Sequence, residues 1–299
     1  MTIEEKRPVT VVAIGEILWD IFPDDKRMGG APANFAYYAN KLGERAVLLS
    51  RVGHDSLGRQ AISACHSAGL ITDFIQKDLI HPTGKVRVEL DEKGVPRFEI
   101  EPASAWDFLE EDKSFLSLAK AVRAVCFGTL AQRNEKSRNT IKNLLDMVGP
   151  DCLRVLDLNL RPPFYDLQII DSSLIRADVL KLNSDELKVL SGLYSLKGNE
   201  TELIRALLDK FSLRHVALTR GSEGSLIVSK DRESDHPGYL VNAVDTVGAG
   251  DAFTAALVCG LLRNEDLDEI SKLANQLASF VCTKKGAWVN IADLTRPVC

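Results

Sequence analysis

The residues Asp245-Thr246-Val247-Gly248-Ala249-Gly250-Asp251 have types and spacing suited to chemistry on a phosphoryl group. Glycines at 248 and 250, with only alanine between them, let backbone N–H groups approach a ligand closely. The stretch that follows, Thr254 to Leu262, is small and apolar enough for a buried helix. A helix starting at this turn adds free N–H donors and a positive dipole end, and together these suit an anion. A carboxylate at Asp251 repels an anion unless it has a task. The task that fits is to accept a proton from a hydroxyl attacking a phosphoryl group held by Gly248, Ala249 and Gly250. Ahead of the turn, Tyr239, Leu240, Val241, Ala243 and Val244 suggest the order strand, tight turn, helix. Taken alone, the turn is equally a helix start with Asp251 as a cap.

A second glycine-to-helix turn lies near the N-terminus, in Met28-Gly29-Gly30-Ala31-Pro32-Ala33-Asn34, and its helix stops at Leu42-Gly43. The Asn34 amide both donates and accepts, which suits a polyhydroxyl ligand, or it caps the helix. Further polar residues fall just after expected strands: Asp20, Asn159 with Arg161, Asn183 and Thr219. In an open α/β sheet, ligands bind beyond the carboxyl ends of the strands, so these residues and the Gly248–Asp251 turn should collect at one edge. Asp20 is otherwise a surface loop residue.

The elements that must position them alternate. Apolar, β-rich runs begin at Val9, Ala46, Ala124, Arg154, Ala177, Val216 and Ser225, and most are separated by helical patterns. That alternation implies an α/β fold with a mostly parallel sheet and helices on both faces. Residues 83–107 differ. Thr83 to Asp91 and Val95 to Glu101 alternate apolar and polar around the turn residues Asp91-Glu92-Lys93-Gly94. This reads as an antiparallel hairpin with one wet face, standing off the main sheet as a lid, a dimer contact or both. With no linker, repeat or low-complexity tract, residues 1–299 read as one α/β domain carrying that lid, with residues 16–30 as a candidate contributor.

Bulk properties exclude several classes. The 299 residues are 45% hydrophobic and 26% charged, a globular composition. A net charge of −5 leaves no basic excess for nucleic acid. No apolar run reaches the ~18 residues of a membrane span. The polar start Met1-Thr2-Ile3-Glu4-Glu5-Lys6 lacks a signal-peptide core, and the six cysteines show no CxxC spacing, so a reducing cytoplasm is the expected location. His54 reads as a surface turn residue, because no His or Cys cluster suggests a metal. A dinucleotide fingerprint is also missing, since Gly15-Glu16-Ile17-Leu18-Trp19-Asp20 follows the first strand in place of G-x-G-x-x-G.

On its two glycine motifs, and on Asn183-Ser184-Asp185-Glu186, the chain resembles the ribokinase-like (PfkB) family of sugar kinases over nearly its whole length. The resemblance implies ATP and Mg²⁺, with Asp251 as general base and Gly248, Ala249, Gly250 and Asp251 forming the anion hole. It implies Asn183 and Glu186 near the nucleotide phosphates and the water shell of Mg²⁺. Thr219, Gly221 and Gly224 are implied on a nucleotide loop, and Asn275 beside the adenine. Asp245 and Thr246, with the loop from Thr283 to Gly286, resemble the family's monovalent-cation site, for which K⁺ is the candidate. The sugar is implied at Asp20, Gly29, Gly30 and Asn34, under the lid, and a homodimer through the lid is one expectation. Arg161 reaches a phosphate, reaches the carboxylate of a sugar acid such as 2-keto-3-deoxygluconate, or forms a strand-end ion pair. The motif Gly-Glu-Ile-Leu-Trp-Asp, with Gly-Gly-Ala-Pro-Ala-Asn and Asp-Leu-Asn-Leu-Arg, is most similar to bacterial fructokinases. D-fructose is therefore the expected substrate, and sugar-acid kinase, nucleoside kinase and non-catalytic sugar sensor are the alternatives.

Overall fold

The computed structural model describes residues 10–90, 96–292 and 294. Strand β1 (Val11–Ile14) is buried throughout. The chain then leaves its sheet for β2 (Leu18–Ile21) and β3 (Lys26–Gly29). Helix α1 (Ala31–Lys41) starts after Gly30, whose φ of 102° suits glycine, and carries Pro32 in its first turn, where a missing N–H costs nothing. Next come β4 (Ala46–Gly53), α2 (Ser56–Ser67), β5 (Ile75–Asp78), β6 (Gly84–Leu90), β7 (Pro96–Ile100) and α3 (Lys113–Ala119). From β8 (Ala124–Gly128) the alternation is regular: α4 (Glu135–Met147), β9 (Leu153–Asp157), α5 (Leu167–Leu174), β10 (Val179–Asn183), then α6 (Ser184–Leu193) and α7 (Glu200–Phe211). The chain continues through β11 (His215–Thr219), β12 (Ser225–Ser229) and β13 (Glu233–His236) to α8 (Ala249–Leu262) and α9 (Leu267–Cys282).

The main sheet has nine strands in the order β13-β12-β11-β10-β9-β8-β1-β4-β5. It is parallel from β5 to β11 and antiparallel at β12 and β13. Alternate residues of each strand face opposite layers. Val11 and Ala13 face α1, α2, α8 and α9, whereas Val12 and Ile14 face the layer of α3 to α7. The strand order reverses beside β1, because the chain moves outward to β4 and β5 and then returns to β8 on the other side. That reversal opens the crevice expected of such sheets.

The small sheet has four strands in the order β3-β2-β6-β7. Its pairs are antiparallel except for the parallel pair of β2 with β6. Gly84 sits at that junction, where a Cβ would lie 2.3 Å from Trp106 Nε1. Residues 83–107 are therefore not a free hairpin, since β2 and β3 complete their sheet. The expected turn Asp91–Gly94, the residue Val9 and Cys299 lie outside the described residues.

Two expectations are corrected. Tyr239 to Val244 form no strand, and Leu240 and Val244 are 93% and 58% exposed. An apolar run without a neighbouring strand has no ladder to join, and the Val244 and Asp245 N–H groups instead donate to the Cys282 carbonyl. Asp20 lies on β2 of the small sheet rather than in a loop after β1. Strands β5 and β13 escape a hydrophobic pattern because their buried positions include Asp78 and Ser234.

Candidate active site

Where the two sheets meet, a cavity of about 430 Å³ is lined by residues from both. The small-sheet side supplies Leu18, Asp20, Gly29 and Val86. The ends of the main-sheet strands supply Asn159, Arg161, Lys181, Asn183 and Thr219. Gly30, Ala31 and Asn34 enter from the start of α1, and Thr246 to Gly248, Gly250 and Asp251 from the start of α8.

Gly248 caps α8 in the left-handed region at φ 82°, and a Cβ there would lie 2.8 Å from Ala287 Cα. The Ala249 N–H donates back to the Thr246 carbonyl at 3.3 Å. Among the described residues the N–H groups of Gly248, Gly250 and Asp251 meet no acceptor, so they are the open donors of the turn. The loop behind the turn is pinned by α1. Tyr38 Oη donates to the Ala287 carbonyl at 2.6 Å, and Tyr37 Oη donates to the Val289 carbonyl at 3.0 Å.

Asp251 lies in the first turn of α8 and accepts from Asn34 Nδ2 at 2.7 Å. Asn34 Oδ1 accepts from Trp288 Nε1 at 2.9 Å, which fixes the amide orientation. Asn34 is therefore not the helix cap, a position held by Gly30. Burial raises the Asp251 carboxyl to about 6, with the Asp157 charge pushing the same way and Asn34 opposing. A base poised there is ionised at neutral pH and still protonates readily. Burial likewise lifts Asp20 to about 6 and Glu16 to about 7. Glu16 Oε1 accepts from the Ala31 N–H at 3.2 Å, and its Oε2 has no partner among the described residues.

A buried cation lies under the turn. Lys181 Nζ is 3.1 Å from Asp157 Oδ1 and 3.0 Å from the place a Gly250 Cβ would take. Burial alone would lower the Lys181 pKa, but the carboxylates of Asp157, Glu186 and Asp251 outweigh it and raise it. The Thr254 hydroxyl lies 2.9 Å from both Asp157 Oδ2 and the Gly250 carbonyl. This charged chain therefore ties β9 and β10 to the first turn of α8. Arg161 is a second cation at the cavity, exposed and without a hydrogen-bond acceptor among the described residues.

The remaining expected residues divide. Asn183 caps α6, its Oδ1 accepting from the Asp185 and Glu186 N–H groups at 3.0 and 2.9 Å. Glu186 Oε2 accepts from the Asn183 N–H at 2.8 Å and Oε1 from the Leu160 N–H at 2.9 Å. With both oxygens engaged, Glu186 suits a contact to Mg²⁺ through water better than direct ligation. Asn183 and Thr219 reach the cavity, whereas Glu186, Gly221, Gly224, Ala249 and Asn275 do not line it. Gly224 is required by close backbone, since a Cβ would come within 1.9 Å of the His236 carbonyl. Asn275 Nδ2 donates to Ser225 Oγ and the Ser271 carbonyl at 2.7 and 2.8 Å, inside the α9 layer. Asp245 and Thr246 lie beside the turn, but Asp245 Oδ2 pairs with Arg27 at 3.1 Å.

Sequence reasoning missed Glu16, Lys181, Asp157, Trp288 and Arg27. Lys181 did carry a signal, because it is the one charge in β10 and lies between two leucines, and such residues are rarely buried without a task.

A family model described as pfkB family carbohydrate kinase matches residues 23–293. The chain belongs to this family. It is a sugar kinase, a phosphotransferase with an alcohol group as acceptor. An uncharacterized sugar kinase of Pyrococcus horikoshii is 30% identical over 93% of this chain and 91% of its own. The structure of that protein in complex with ATP superposes with a TM-score of 0.80 over 93% of this chain and 94% of that one, at 28% identity. The Escherichia coli fructokinase is 27% identical over 93% of this chain and 94% of its own. Fructokinase from Vibrio cholerae O395, in a fructose-, ADP- and calcium-bound form, superposes with a TM-score of 0.81 at 27% identity, over 96% of this chain and 98% of that one. A variant of that protein carries fructose, ADP and a potassium ion. No described helix is long and apolar enough to cross a membrane.

Proposed function

We propose that this sugar kinase phosphorylates D-fructose at a hydroxymethyl group, using ATP. The observation that carries the reading is the contact of Asp251 with Asn34 in a cavity shared by both glycine turns. It sets a base, a polar amide and open N–H donors around one space. A cradle closed to any Cβ at Gly248, next to the cations Lys181 and Arg161, fits a triphosphate chain. Mg²⁺, when bound, would offset phosphate charge, with Glu186 and Asn183 holding its waters.

Asp251 accepts the proton of the sugar hydroxyl as its oxygen bonds to the γ-phosphorus. The bond from phosphorus to the β-phosphate oxygen breaks, and ADP leaves. The N–H groups of Gly248, Gly250 and Asp251, with Lys181, face the charge that develops on the phosphoryl oxygens. The small sheet covers the sugar side and limits water there. Fructose is favoured over a sugar acid because Asp20 and Glu16 put carboxyl groups on that side. Hydroxyls donate to such groups, whereas an added carboxylate would meet them with Arg161 as the unpaired cation of the cavity lining among the described residues, Lys181 being paired with Asp157.

A coupled ADP-release assay with ATP and Mg²⁺ against fructose, 2-keto-3-deoxygluconate, ribose, tagatose and adenosine tests this. Fructose should give the highest kcat/KM. Preferred turnover of the keto acid would replace this reading and make Arg161 the carboxylate clamp. Gly29→Ala places a Cβ 2.6 Å from Asp20 Oδ2 and 2.9 Å from Leu18 Cδ1. Displacing Asp20 should cost roughly 10–100-fold in kcat/KM for the sugar, with the KM for ATP little changed. An unaltered sugar KM would remove Asp20 from the sugar site.

A further inference from the structure

Asp245 stands at the entry to the turn. Its Oδ1 accepts from the Val247 N–H at 3.1 Å, and its Oδ2 from the Gly286 N–H at 2.9 Å. A bare carboxylate here would repel the phosphoryl group held by Gly250 and Asp251, so its charge needs a partner. Resemblance to the family assigns that task to a monovalent cation. In this chain the partner is Arg27, which arrives from the other sheet. Arg27 Nη1 lies 3.1 Å from Asp245 Oδ2, and Nε lies 2.9 Å from Asp25 Oδ2. The guanidinium also lies over the Phe22 ring, 4.6 Å from its centre. The Arg27 stem passes over Gly286, where a Cβ would lie 3.5 Å from Cδ. A carboxylate neutralised by a guanidinium and filled by two N–H groups makes a poor ligand set for K⁺.

We propose that Arg27 replaces the monovalent cation at this position, so that phosphoryl transfer in this enzyme does not require K⁺. Arg27 acts as a positioning residue: it holds Asp245, which in turn holds Val247 and Gly286 on either side of Gly248. The inference rests on the Gly248–Asp251 turn being the phosphoryl site and does not depend on which sugar is used.

The test compares tetramethylammonium chloride with KCl, using ATP free of K⁺, for the native enzyme and for Arg27→Met. Initial rates and thermal midpoints are both read. The native enzyme should show no KCl effect on either. Arg27→Met should lose roughly tenfold or more in kcat without K⁺, as expected for one lost electrostatic contact, and recover most of it in KCl. Its thermal midpoint should also rise with KCl. Clear KCl activation of the native enzyme overturns the proposal. So does an Arg27→Met enzyme that ignores KCl, whether active or inactive. Arg27→Gln serves if the methionine variant does not fold, and the native measurement needs no variant. The thermal readout needs no sugar, so failure on the sugar panel leaves this test intact.

Discussion

Asp251→Asn should lower kcat by about 10²–10⁴-fold, the range for a removed general base, while sugar and nucleotide still bind. The asparagine is nearly isosteric, and its Oδ1 can still accept from Asn34 Nδ2. The open N–H groups at Gly248 and Gly250 are untouched, so calorimetric affinities for ADP and sugar should stay close to native. With Asp251 raised to about 6, native kcat/KM should fall as pH drops through that value, because the protonated carboxyl cannot accept the sugar proton. The variant should lose the share of that limb due to Asp251 and keep any share due to Asp20 and Glu16, whose carboxyls are raised to about 6 and about 7. Stability moves the other way. A carboxyl whose folded pKa is raised stabilises the protein at low pH, and that contribution disappears as pH rises through about 6. Asp251→Asn should therefore be at least as stable as the native protein at pH 8. Turnover within a few-fold of native would end the role of Asp251 as base.

Lys181→Met should damage both folding and rate. Asp157 would keep the Thr254 hydroxyl but lose its buried counter-ion, a change worth about 3–5 kcal/mol when one partner of a buried pair is removed. In a chain this size that corresponds to a fall on the order of 10 °C in Tm. Loss of the ammonium under Gly250 should also cost about 10²–10³-fold in kcat, the scale for one electrostatic contact to a transition state. The double variant Lys181→Met/Asp157→Asn separates the two effects. Removing the stranded charge should return much of the Tm, while kcat stays low. If the rate returns with the Tm, Lys181 serves the fold alone.

The alternation of strands and helices was readable because apolar runs broken by turn residues leave a strong periodic trace. The two glycine turns were readable because close backbone approach admits few residue types, as Gly248 against Ala287 illustrates. The small sheet was only half visible. Its hairpin β6–β7 alternates clearly, but β2 and β3 are four residues each, and their partnership with β6 is a long-range contact without a local pattern. The residues that complete the site lie far apart in sequence. Trp288 reaches Asn34, and Arg27 reaches Asp245, through contacts that only the folded topology creates. Asn275 shows the opposite limit, where a matching motif position is held within the helical layer by Ser225 and Ser271.

The division of helices between the two faces of the main sheet bears on how the chain matures. On the face formed by α3 to α7, the covering helices are interleaved along the chain with the strands β8 to β12. The other face has α1 and α2 early, but it also needs α8 and α9, which follow every described strand and whose buried residues include Phe253, Leu257, Ile270 and Leu277. Val11, Ala13, Ala46 and Leu48 are among the first core residues to leave the ribosome, and α1 and α2 cover them early, whereas α8 packs over α1 only once the last part of the chain is made. A nascent chain that stops short of residue 249 therefore leaves the outer side of α1 and the strands β12 and β13 uncovered on that face. Such surfaces invite aggregation and chaperone capture. The site forms at the same moment, because the helix that seals this face carries Asp251 in its first turn. A chain that has acquired its catalytic base has thereby also closed its core.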